Sequence, residues 1–118
     1  MHHLPLIALL CLVAPMALAE QLTGDVYSPR PGVVCDRKAQ FCADSNGISL
    51  ALTRENLGAQ AEAVMQGRIR DAGGPSNYDL AWFGLSNGVD CKASQRVCHV
   101  SKHSDQVDAA HTRALFGR

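Results

Sequence analysis

Cysteine and histidine are the residue types here whose spacing suggests chemistry. Beyond the apolar amino terminus the chain holds four cysteines, at positions 35, 42, 91 and 98, in a pattern written twice. Gly32-Val33-Val34-Cys35 is followed by Cys42, and Gly88-Val89-Asp90-Cys91 by Cys98. Three pairings of four thiols exist. The repetition of Gly-Val-x-Cys-x6-Cys as a unit favours Cys35 with Cys42 and Cys91 with Cys98, each a clasp across the arms of a hairpin. Closing a loop of about eight residues contributes roughly 2.5 kcal/mol in the chain-entropy model. A structural zinc site is the other use for four thiols, but it takes tight Cys-x2-Cys pairs, and a six-residue spacer does not supply them. With the thiols paired, no cysteine nucleophile remains.

His99, His103 and His111 stand four and then eight residues apart. On one continuous helix they would stack three imidazoles for a metal, although a strand at His99 would break that register. Asp36, Asp44 and Asp90 admit an acid and base reading, yet aspartates at turns and clasp tips commonly serve local hydrogen bonds. No catalytic residues and no cofactor are therefore assigned.

The compartment follows from the start of the chain. Leu4 to Ala19 (LPLIALLCLVAPMALA) is apolar and ends in Ala17-Leu18-Ala19, before polar Glu20 and Gln21. Residues 1–19 read as a removed secretory signal. The run falls short of the roughly 20 residues of a membrane span, and Pro5 and Pro15 interrupt it, so no anchor is expected after cleavage. Cys11 leaves with the signal. Paired cysteines agree with an exported, periplasmic or secreted protein. Basic and acidic residues number 11 each, without a basic stripe interleaved with aromatics, which argues against nucleic acid as a partner.

These groups are positioned by a small set of expected elements. Residues 20–31 form an extended lead-in. Residues 32–103 form a single α+β domain stapled by the two modules. Val33–Asp36 and Gln40–Ala43 are strands around a polar tip. Asn46-Gly47 signals a type I′ hairpin turn into a strand over Ile48–Leu52. Thr53 caps a helix reaching Asp71, with Leu57, Ala61, Val64 and Met65 as its apolar stripe. Residues 72–77 are a loop, and Tyr78–Leu85 is a strand placing Leu80 and Trp82 on one face. Ser86-Asn87-Gly88 turns the chain into the second clasp, Val89–Lys92 and Arg96–Val100. The expected architecture is two three-stranded antiparallel meanders, related with inverted order, flanking one helix. Residues 104–118 form a short helix capped by Ser104, or a frayed tail.

Residues 28–58 (SPRPGVVCDRKAQFCADSNGISLALTRENLG) resemble the Fels-1 prophage protein-like family, which includes the small exported YcgJ-type bacterial proteins. The shared features are the Pro-Gly-Val-x-Cys-Asp opening, the Phe-Cys-x-Asp-x-x-Gly-Ile-Ser-Leu core and the Thr-x-x-x-Leu-Gly helix entry. Residues 83–91 (FGLSNGVDC) resemble its second cysteine segment. The resemblance implies an exported bacterial protein of unassigned function and supplies no catalytic residues.

Two functions follow as expectations. One is a non-enzymatic interaction module offering its clasp tips, with Arg37, Lys38 and Gln40 on the first and Lys92, Gln95 and Arg96 on the second, to a protein partner in the envelope. An inhibitor of a cell-wall or other envelope enzyme is a concrete form of it. Trp82 packs in the core by default and otherwise anchors the partner. The alternative is a metal-responsive protein using His99, His103 and His111.

Overall fold

The computed structural model describes residues 19–118; the segment expected to be a signal, residues 1–19, lies outside the described residues apart from Ala19. Two antiparallel sheets and three helices make up this part of the chain. In the first sheet β1 (Glu20–Gln21), β2 (Val26–Arg30), β3 (Val33–Asp36), β4 (Phe41–Asp44) and β5 (Gly47–Ser49) pair in sequence order. The lead-in is therefore two strands of a five-stranded sheet, not an unpaired approach to a three-stranded one. Pro29 and Pro31 within it are residues that oppose regular pairing. Pro29 is tolerated because the β2–β3 register shifts between Tyr27 and Arg30, and an irregular pairing spares the N–H that proline lacks. There the buried Ser28 hydroxyl bonds the Val33 and Arg30 carbonyls at 2.6 and 2.8 Å.

Alternation divides the first sheet cleanly. Val26, Val34, Phe41, Ala43 and Ile48 enter the main core, while Tyr27, Val33, Cys35 and Cys42 form a second cluster on the opposite face. Each helix following β5 takes one face. Ser49, not Thr53, caps α1 (Leu50–Leu57), accepting the Leu52 N–H, so the expected strand ends where the helix begins. Leu52 and Leu57 cover the second cluster. Gly58, at φ 98° and ψ 170°, breaks the helix, and α2 (Ala59–Asp71) turns Met65 and Ile69 into the main core and also buries Ala61. The expected stripe crossed this break, which is why Leu57 and Met65 serve different clusters.

The second sheet pairs β6 (Trp82–Gly84), β7 (Asp90–Lys92) and β8 (Val97–His99) in order. β6 is short because the Asp79 carboxylate accepts the Ala81 N–H and bends the chain just before it. The phase is set by Phe83, which lies opposite Cys91 and enters the core with Leu85. Trp82 thereby faces outward, 45% exposed, instead of pairing with Leu80 against the helix. Phe41 and Phe83 meet edge to face, centroids 5.8 Å apart, across the seam between the sheets. At the same seam Ile48 N–H donates to Leu80 C=O, and a Cβ on Gly47 would strike that carbonyl.

The tail is a docked helix. Asp108, not Ser104, caps α3 (Ala109–Phe116) by accepting the His111 N–H. His111, Thr112, Ala114, Leu115 and Phe116 are buried, whereas Val107 is 50% exposed. Gly32 N–H donates to Ala114 C=O and Cys98 N–H to the Thr112 hydroxyl, so α3 touches both halves.

The halves run in the same order, not in inverted order. In the first, Tyr27 lies opposite Cys35 and Cys35 opposite Cys42; in the second, Phe83 lies opposite Cys91 and Cys91 opposite Cys98. Gly32 and Gly88 occupy matching positions with φ of 89° and 95°, as do Gln40 and Arg96 with φ of 67° and 54°. In each half a helix threonine, Thr53 or Thr112, accepts the N–H of the second cysteine.

Candidate functional site

Disulfides join Cys35 to Cys42 and Cys91 to Cys98, with Cα atoms 4.0 Å apart in both. Each bridge holds a four-residue loop, 37–40 or 93–96, whose last residue is left-handed and helps return the chain. On the first tip, Asp36 Oδ1 accepts the Lys38 and Ala39 N–H groups, Arg68 donates to Ala39 C=O, and the Gln40 amide donates to Arg37 C=O. The Arg37 guanidinium lies 3.8 Å from the Tyr27 ring centroid, and Lys38 is exposed. On the second tip Gln95 is exposed. Arg96 is committed to α3: it donates to Phe116 C=O and sits 5.5 Å from the Phe116 ring. Lys92 Nζ lies 4.6 Å from the Trp82 centroid.

The aspartates have structural partners. Asp36, fully buried, also accepts the Ser86 N–H and hydroxyl at 2.6 and 2.8 Å, tying the first clasp to the turn ahead of the second. Asp44 accepts the Asn46 N–H, so the turn after β4 is built on Ser45 and Asn46; Asn46 is not left-handed, and Gly47 opens β5 instead of forming a type I′ pair with it. Asp90 Oδ2 accepts the indole N–H of Trp82 at 2.7 Å.

The three histidines do not converge. His99 is on β8, His103 is exposed in the following loop, and His111 is buried in α3, whose helical register begins only at Ala109. Among the described residues no group of three His, Cys, Asp or Glu side chains is placed to hold a metal. His111 instead bonds through both ring nitrogens. Asn87 Oδ1 accepts the Val89 N–H, so its Nδ2 is the atom facing His111 Nε2 at 3.0 Å. Nε2 must then accept, and Nδ1–H donates to Asp108 Oδ1 at 2.8 Å. Burial raises the Asp108 carboxyl, but hydrogen bonds from the His111 backbone N–H, the His111 ring and the Ala110 N–H together hold it below its ordinary value.

The strand register places Trp82, Lys92 and Val97 in one row of the outer face of the second sheet, and Gly84, Asp90, His99 and Val107 in the next. Between Trp82, Gly84, Asp90 and Lys102 lies a hollow of about 270 Å³. Sequence reasoning had singled out Trp82 and Lys92 but not Gly84 or Lys102; a glycine opposite an aspartate on the outward phase was the available signal, hidden by the inverted assignment of faces. A larger open groove of about 640 Å³ follows Asn46 and Pro75–Ala81. Its one carboxylate, Asp79, is engaged by Ala81 N–H.

A family model described as "YcgJ protein" matches residues 26–116. The chain belongs to the YcgJ family. The match begins with β2 and ends with α3, so both repeats and the docked helix are features of the matched segment. "Uncharacterized protein YcgJ" of Escherichia coli (strain K12) is 33% identical over 100 residues, covering 79% of this chain and 75% of that protein. No solved structure matches. The two disulfides of this YcgJ family member are compatible with an extracytoplasmic location. No helix among the described residues is long and apolar enough to cross a membrane.

Proposed function

We infer that the protein is a non-enzymatic interaction module, periplasmic or secreted, which presents its clasp tips to a protein partner in the envelope. The observation that carries this reading is the fixing of two exposed loops by a bridge, a left-handed residue and, at the first tip, four hydrogen bonds. A loop already held in one conformation loses little freedom on binding, so its few exposed side chains contribute to affinity with small ordering cost. Arg37, Lys38 and Gln95 are the exposed contacts; Gln40 and Arg96 hold the tips in shape. Export is supported by the signal-like segment and the bridges. An enzyme reading lacks support, because Asp36, Asp44 and Asp90 each have a structural partner. Inhibition of a cell-wall enzyme is one form this binding would take.

Affinity capture from envelope extract tests the reading. The disulfide-intact protein is expected to retain a partner that the reduced and alkylated protein and the Lys38→Glu/Gln95→Glu variant do not. Equal capture by the tip variant would remove the tips from the interaction.

A further inference from the structure

We propose that the hollow at Trp82 is a binding subsite for one ring of an acidic saccharide. This goes beyond the tip-binding reading and uses different residues. The starting observation is Asp90. Its side chain belongs to a residue only 5% exposed, and Oδ2 is taken by the Trp82 indole N–H. Oδ1 receives no hydrogen bond from the described residues, yet no buried side-chain oxygen is without a partner. Oδ1 therefore reaches solvent, and it does so at the hollow that Asp90 lines, beside Gly84, where a Cβ would lie 3.8 Å from it.

Each wall asks for a different feature of the ligand. A carboxylate oxygen with little water around it calls for donors, such as hydroxyl groups. Lys102, exposed at the rim with Nζ 6.0 Å from the Trp82 centroid, calls for an anion. The indole plane, against which Lys92 Nζ also lies 4.6 Å from the centroid, offers a surface on which the partly positive C–H side of a pyranose can stack, and its tilt is fixed by the bond to Asp90. Gly84 leaves the floor without a side chain. An acidic peptide would satisfy Lys102 and bring backbone N–H donors to Asp90 Oδ1, but its acidic side chains present no C–H ring face to the indole, whereas a pyranose carrying hydroxyls and a carboxylate satisfies all three. About 270 Å³ lies just under the roughly 300 Å³ at which pockets for drug-sized ligands begin, which suits one ring.

Trp82 is the chain's sole tryptophan, so its fluorescence reports this site alone. Titration of the intact, signal-free protein with a glucuronate-containing disaccharide is expected to saturate, and the neutral glucose disaccharide to bind about tenfold more weakly. Lys102→Gln, at an exposed position that leaves folding alone, is expected to abolish that preference; Asp90→Asn, checked for folding by circular dichroism, is expected to weaken both sugars about tenfold. The Lys38→Glu/Gln95→Glu variant is expected to bind the disaccharide unchanged, so failure here and failure of the tip reading are separable. No saturation by either sugar, saturation by a poly-glutamate peptide instead, or sugar binding indifferent to Lys102 and Asp90 would each overturn the proposal.

Discussion

Thr53 and Thr112 do the same work in the two halves. Each hydroxyl accepts the backbone N–H of the second cysteine of its clasp and donates to a carbonyl, Ser49 in one case and Cys98 in the other. Thr53→Val keeps the shape and leaves the Cys42 N–H buried without an acceptor. A loss of about 1–2 kcal/mol in denaturant unfolding is expected. Asp36→Asn should cost more, about 2–3 kcal/mol, because an amide turns donors toward some of the four donors that now converge on two carboxylate oxygens. Asp108 gives a pH dependence of known sign. Its carboxyl titrates below the ordinary value of 3.8 in the folded protein, so the stability it contributes is complete above that value and is lost as pH falls through the lower folded value. Amide protection in α3 is expected to weaken in that acid window, and Asp108→Asn to remove this pH dependence.

At the scale of elements, the contact between sheets depends on a residue with no side chain. Gly47, at φ 119°, lets β5 approach the Leu80 carbonyl closely enough for the Ile48 hydrogen bond. Gly47→Ala puts a Cβ against backbone and adds left-handed strain, so a loss of about 2–3 kcal/mol in thermal or urea unfolding is expected. The elements also show what was legible beforehand. The four strands of the clasps were readable because cysteine spacing and alternation agree. The helix start was displaced from Thr53 to Ser49 because both are good caps, and tertiary demand for a hydroxyl at Cys42 N–H decided between them. The lead-in strands and α3 lacked periodicity of their own. β1 and β2 are ordered by pairing to β3, and α3 by burying Leu115 and Phe116 in a core assembled elsewhere. Trp82 was misplaced for a related reason: alternation gives two phases to a strand with apolar residues on both, and Phe83 opposite a core disulfide selects one.

Over the whole molecule, the repeat is a tandem one, strand then clasp then gripping helix, and the core is shared between the halves. Removing one half's helix should therefore cost the other half its packing. A chain ending at Asp108 uncovers the seats of Ala114, Leu115 and Phe116 and is expected to bind a hydrophobic dye and to unfold without a sharp transition. The candidate sites were legible only in part. The tips followed from the cysteines, while the hollow at Trp82 exists through register, which pairs Gly84 with Asp90. The four bridge cysteines are essentially shut off from solvent, at 0–1% exposure. A soluble thiol cannot attack a sulfur it cannot touch, so each bridge has to wait for its covering helix to lift, α1 over the first and α3 beside the second. Reduction thereby becomes a clock for two separate opening motions. The order in which the thiols appear under mild reductant tells which helix leaves first.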